Sequence, residues 1–253
     1  GIKMGLLPLL TATFFKINEG SLAFYNIDDS RVESLITDYD PRICEKFIQI
    51  PEDLKLMYVR IEGEKKKILD DFKGYVEKRF LNNKAIKNPT PLHVLKPIVL
   101  KAYNLPAFAR KTRQFKDKRV LILRDELLTT QNPYELLYKK IPEICGTEDS
   151  NQLIKEFDKI WLQLDQVFED MVDQFKQVIL KVFRTDPNIF DMNFMTIKEW
   201  AKKIGDKDPF SAKINEFKKE NDWIEQIISY AASKPANEWN DNHYQEATLK
   251  IEE

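Results

Sequence analysis

The sequence predicts a mainly α protein: a multi-helix array with at most a few short strands near its N-terminus. Three observations carry this. Glycine is scarce, at 7 in 253 residues, whereas dinucleotide-binding and phosphate-loop folds spend glycine on their turns. Apolar residues recur at helical spacing over long stretches, the mark of helices that bury one face. Capping residues and prolines punctuate those stretches where helices begin and end.

Taken in order, Met4 to Lys16 is apolar around an early Pro8 and reads as a mostly buried helix, ended by Asn18-Glu-Gly20. Its apolar run Met4–Phe15, with Lys3 before it, imitates a signal peptide. It lacks a small-residue cleavage site and is too short to span a bilayer. Ser21–Ile27 is short, aromatic and apolar, as a strand is. Asp28, Asp29 and Ser30 offer N-cap oxygens to a helix over Val32, Leu35 and Ile36. Phe47–Ile50 reads as a second strand, stopped by Pro51. Helix, strand, helix, strand in this order is compatible with a small winged-helix-like module.

Pro51-Glu-Asp then opens a long helical reading through Phe80, with Gly63 a place for a break. Asn82–Thr90 (NNKAIKNPT) is the clearest loop and divides the chain into an N-terminal part, 1–82, and a helical domain, 91–253. Pro91–Tyr103 is helix-like, with a kink or fresh start at Pro97. Leu105-Pro106 is another punctuation mark. Phe115 to Thr130 buries Val120, Leu121, Leu123, Leu127 and Leu128. Asn132-Pro133 caps Tyr134 to Ile144, which Gly146 closes.

The longest periodic segment, Asn151 to Phe183, runs from Leu153, Phe157 and Ile160 to Phe175 and Ile179 as a broad apolar stripe. Its stripe is too irregular for a strict heptad seam. Thr196-Ile-Lys-Glu199 has capping-box spacing ahead of Trp200 and Ile204. Asp208-Pro and Asn221-Asp222 begin two further helices, and Pro235–Trp239 and then Asn240–Glu253 finish the sequence.

Charge is segregated. The chain holds 40 Lys and Arg against 41 Asp and Glu. Yet Lys96 to Arg124 holds nine bases (Lys96, Lys101, Arg110, Lys111, Arg113, Lys116, Lys118, Arg119 and Arg124) against one acid, Asp117. Such a run creates a local field whatever the net charge. Arg110, Lys111, Arg113, Lys116, Lys118 and Arg119 are the candidate binding residues. They fit a phosphate-binding surface for DNA or RNA, with Tyr103, Phe108 and Phe115 placed to stack on bases. The alternatives are an acidic protein partner and, favoured over both, a plain structural role in which the cations are solvated or paired with acidic helices elsewhere and the aromatics are core.

Catalytic signatures are sparse. Neither a phosphate loop nor a dinucleotide fingerprint occurs. The cysteines Cys44 and Cys145 form no close pair, which favours two buried thiols in a reducing compartment. With only His93 and His243, a Cys/His zinc site is disfavoured, and no Ser or Cys sits near them as a nucleophile would. Asp70-Asp71, Asp28-Asp29 and the set Asp165, Glu169, Asp170 and Asp173 read as solvated acidic faces rather than metal ligands. Trp161, Trp200, Trp223 and Trp239 read as helix packing. No catalytic residue, metal or cofactor is expected.

The block LPAFARKTRQFKDKRVLILRDELLTTQNPYELLYKKIPEICG resembles a block in very long bacterial multidomain ATP-binding proteins of the phage-defence or stress type. The segments GLLPLLTATFFKINEGSLAFYN and NDWIEQIISYAASKPANEWND are similar to flanking parts of such proteins. The resemblance implies a helical, non-catalytic region downstream of the nucleotide-binding part, for coupling, oligomerisation or nucleic-acid sensing. Starting without Met and ending on an uncapped helix, the chain reads as part of a longer cytoplasmic polypeptide. The expected function is interaction or regulation within a larger bacterial protein, through a protein partner or other domains of the same polypeptide. The alternative is a nucleic-acid-binding module.

Overall fold

The computed structural model describes residues 6–18, 22–27, 33–36, 54–58, 60–87, 89–182, 190–205, 209–217, 223–235 and 238–252. The fold is mainly helical. In chain order, α1 (Leu7–Ile17) precedes three strands, β1 (Leu22–Ile27), β2 (Glu33–Ile36) and β3 (Leu54–Tyr58). The helices α2 (Glu64–Arg79), α3 (Pro91–Tyr103), α4 (Ala107–Lys111) and α5 (Lys118–Thr129) follow. Next, α6 (Pro133–Glu135) continues through a π-helical turn (Leu136–Lys140) into α7 (Ile141–Cys145). The long α8 (Ser150–Val182) leads to α9 (Phe190–Ile204), α10 (Pro209–Glu216), α11 (Trp223–Ala231) and α12 (Asp241–Glu252).

The chain forms two compact units, one of residues 1–103 and 121–160, the other of 104–120 and 161–253. The loop 82–90, with Asn82 and Asn83 in left-handed backbone, lies inside the first.

In the first unit the strands pair antiparallel in the order β2-β1-β3, with Phe24 opposite Ile36 on one side and Leu56 on the other. Two expectations are corrected here. The helix expected over Val32, Leu35 and Ile36 is strand β2 at Glu33–Ile36. Antiparallel pairing with β1, Tyr25 opposite Leu35 and Asn26 opposite Ser34, satisfies their backbone groups instead. The helix–strand–helix–strand order behind the winged-helix reading therefore does not hold. Nor is Pro51–Phe80 one helix. Leu54, Leu56 and Tyr58 alternate along β3, and the helix begins only after Gly63, whose φ of 54° favours glycine. The strand expected at Phe47–Ile50 lies outside the described residues.

A third correction concerns α1. Leu9, Phe14 and Ile17 are exposed, at 63%, 51% and 77%, so the helix is not mostly buried. Apolar content makes a helix; it does not supply a surface to cover it. Asn18 ends α1, its side-chain amide donating to the Phe14 carbonyl at 2.8 Å.

Behind the sheet in sequence, α2 and α3 bury Phe72, Val76, Val94 and Ile98. Thr90 caps α3, accepting from the His93 N–H at 3.2 Å, with the His93 Nδ1 at 3.2 Å from the same hydroxyl. Asn132 caps α6, accepting from the Tyr134 and Glu135 N–H groups, and Gly146 closes α7 with φ 70°, as the sequence predicts. Pro142 brings no N–H to the Tyr138 carbonyl one turn back, and the helix widens into its π turn just there. The first turns of α8 enter this core through Leu153, Phe157 and Ile160. The Phe157 ring meets Phe72 at 5.2 Å and Tyr75 at 5.7 Å, both edge-on, while the Tyr75 hydroxyl donates to Asp158 at 2.8 Å.

The second unit is built on the remainder of α8. Met171, Phe175 and Ile179 form a core with Phe194, Ile214, Trp223, Ile227 and Trp239. Trp161, Trp223 and Trp239 are buried, as packing predicts, whereas Trp200 is 36% exposed. Thr196 does not cap a helix. It lies within α9, which starts at Phe190, so its spacing to Glu199 is incidental. Asn240 caps α12 reciprocally: its side chain accepts from the His243 N–H, and its own N–H donates to His243 Nδ1, each at 3.2 Å. Histidine here takes the place that Glu or Gln holds in a capping box.

Phe157→Ala should lower the stability of the chain by about 3–5 kcal/mol in urea unfolding. Tyr75→Phe, which removes only the bond to Asp158, should cost about 1 kcal/mol. Equal, small losses from both would contradict the aromatic cluster.

Candidate interaction surface

Lys96, Lys101 and Arg124 belong to the first unit, and Arg110 to Arg119 to the second. Arg124 is buried, at 5% exposure, and its guanidinium bonds the Asp125 carboxylate at 2.8 Å. The exposed cations of the second unit lie on a shorter loop, residues 110–118.

That loop has a local cause. Pro106, in extended backbone, starts α4, and Thr112 returns to extended backbone to end it. The short helix buries Ala107, Phe108 and Ala109, which leaves Arg110 and Lys111 exposed. Thr112 is wholly buried. Its hydroxyl donates to Asp241 Oδ1 at 2.5 Å and accepts from the Gln114 N–H at 3.1 Å. The Arg113 N–H donates to Asp241 Oδ2 at 3.0 Å. Both oxygens of one carboxylate thus hold the loop, from the first residue of α12.

The other end is held by Asp117. It accepts from the Arg119 N–H at 2.9 Å and binds the guanidinium through Nε at 3.0 Å and Nη2 at 2.8 Å. The side-chain bond from Arg119 holds the Asp117 carboxyl below the usual aspartate value, against a smaller opposing effect of burial. Helix α5 starts after Asp117, three residues later than the periodicity predicts. Between and beside these anchors, Arg110, Lys111, Arg113, Lys116 and Lys118 all project exposed. Arg119, the sixth candidate, is half-buried and engaged with Asp117.

A cavity of about 380 Å³ opens beside the loop, within the second unit. The loop side supplies Phe108, Thr112, Gln114, Phe115 and Lys116. Gln163, Val167, Asp170, Met171 and Gln174 supply a second wall, all from one face of α8 at three- and four-residue steps, and Tyr244 of α12 completes it. Burial pushes the Tyr244 phenol above its usual value, and a bond from Thr248 offsets part of that shift. The ring therefore offers a hydroxyl proton at neutral pH.

The other candidates resolve into packing. His93 and His243 serve helix caps, and Cys145 is a buried free thiol. Cys44, Asp28 and Asp29 lie outside the described residues. Among the described residues, no three His, Cys, Asp or Glu side chains gather where they could hold a metal ion. Nor is any helix there long and apolar enough to cross a membrane. Asp241, Tyr244 and the three glutamines were not foreseen. Asp241 sits 128 residues from Arg113, and a polar residue at a helix start signals a cap rather than a distant loop. No family model matches the sequence, and no match was found among curated proteins or solved structures.

Asp241→Ala removes the carboxylate that accepts from the buried Thr112 hydroxyl and the Arg113 N–H. It should cost about 1–3 kcal/mol and speed hydrogen exchange at the Arg113 amide. Unchanged exchange would show that the loop does not depend on this carboxylate.

For Asp117 the folded pKa is depressed, so the stability it contributes is present above the ordinary aspartate range. It is lost as pH falls through the folded value. Because the pair is partly solvated, the advantage over Asp117→Asn at neutral pH should be no more than about 1 kcal/mol. It should vanish in acid unfolding curves; a gap that persists there would contradict the assignment.

Proposed function

We propose that this chain is a non-catalytic helical interaction and regulatory region of a larger bacterial protein, of the multidomain ATP-binding kind its sequence blocks resemble, and that it engages an anionic partner. The observation that carries this is the held loop. Arg110, Lys111, Arg113, Lys116 and Lys118 are exposed within nine residues, on a backbone anchored by Asp241 and Asp117. Cations repel one another, so their grouping on a fixed loop destabilises the free protein slightly and benefits a partner of opposite charge. Lys118 adds to this, since a cation in the first turn of α5 opposes the helix dipole. A preorganised array also loses less conformational entropy on binding than flexible side chains on a mobile loop.

Two partner classes meet this description: an acidic protein surface, including another domain of the same polypeptide, and a nucleic acid. The cavity favours the second. Phe115 and Tyr244 line it beside Lys116, and an aromatic lining next to cations is what unpaired bases and phosphates together require.

Fluorescence anisotropy with labelled single- and double-stranded oligonucleotides and an acidic peptide tests the reading. Binding through five cations should weaken about a hundredfold between 50 and 200 mM salt. Reversing Arg110, Lys111 and Arg113 to glutamate should abolish it. Salt-independent binding, or none at the lower salt, would refute the proposal.

A further inference from the structure

The cavity and the loop beside it differ in charge, and the difference says what each would hold. Lys116 and Asp170 are the charged members of the cavity lining, and they cancel. A phosphate inside would meet the Asp170 carboxylate, so the cations on Arg110, Lys111, Arg113 and Lys118 are where phosphates belong. What enters the cavity should be neutral. Phe115 and Tyr244, both half-buried, bring aromatic side chains to the lining. The side-chain amide of Gln174, exposed on the α8 wall, offers donors and an acceptor. A volume of about 380 Å³ lies at the small end of ligand pockets, about 300–1,000 Å³, and suits one flat ring better than a whole nucleotide.

The geometry points to a site for a single unpaired base of a single-stranded nucleic acid, whose flanking phosphates run along the 110–118 loop. This rests on the anionic-partner reading above and goes further by naming the ligand and its seat. Every base has a π-face to stack and an edge of donors and acceptors to read, whereas an acidic peptide has no comparable use for an aromatic and amide lining. Asp170 then has a role as well, accepting from an exocyclic amino group. A base within a duplex is unavailable unless it is flipped out, so the site discriminates single strands from double.

The test compares the full chain with three labelled probes at one salt concentration: a single-stranded oligonucleotide of mixed sequence, the same backbone with abasic sites, and an oligoglutamate of equal charge. Stacking of one base should make the base-bearing strand bind roughly tenfold tighter than the abasic one. Phe115→Ala and Gln174→Ala should each reduce that preference while leaving abasic-strand affinity and the salt dependence unchanged. Gln174 is exposed on a helix surface, so its variant keeps the test valid if Phe115→Ala misfolds. Equal affinity for both strands overturns the base site and leaves the anionic-partner reading standing. Binding of oligoglutamate but neither strand overturns the base site and assigns the loop to an acidic protein. No binding to any probe overturns both.

Discussion

The burial of one stripe on α8 is the constraint on which the rest of the molecule depends. Its 33 residues contribute Leu153, Phe157 and Ile160 to the core of one unit and Met171, Phe175 and Ile179 to that of the other. A helix of this length would fray unless its apolar face were covered, since tertiary packing, more than intrinsic propensity, holds helices in proteins. Once that face is fixed, the residues flanking it are fixed too. Gln163, Val167, Asp170 and Gln174 become a wall because Trp161, Leu164, Met171 and Phe175 are buried beside them.

The second structural decision is made by Asp241. Both of its carboxylate oxygens are spent on one short stretch of backbone and side chain, at Thr112 and Arg113. Asn240 and His243 meanwhile hold the helix that carries it. A wholly buried threonine needs its hydroxyl satisfied, and charge-assisted bonds are the strong ones. The loop is thus ordered by these contacts and by the Asp117–Arg119 pair, while Arg110, Lys111, Arg113, Lys116 and Lys118 stand exposed.

Much of the helical framework was legible in the sequence. The stripe on α8, the Asn132 cap and the Gly146 stop are all local signals, written within a turn or two of the residues that express them. The strands were legible only where apolar alternation was short and bounded, as in β1. At 33–36 and 54–58 the same residues fit helix or strand, and pairing with β1 decided between them. The site divides in the same way. Its cations are a sequence run and could be found, although Arg124 proved buried and Arg119 engaged. Its cavity could not be found, because Tyr244 and Asp241 approach the loop from well over a hundred residues away, and nothing local marks them.

Each group with displaced ionisation owes its shift to a local structural cause. Among the described residues the shifts fall on Asp117, Tyr138 and Tyr244, and each has a structural cause. Asp117 is lowered first by its bond from Arg119, which leaves it a firmer carboxylate and a poorer base. Tyr138 is raised by burial, and then by Tyr134 and Asp70, inside the first unit. Tyr244 lines the cavity, and burial raises it as well, which keeps its proton in place. A phenol that holds its proton donates a hydrogen bond and presents a ring.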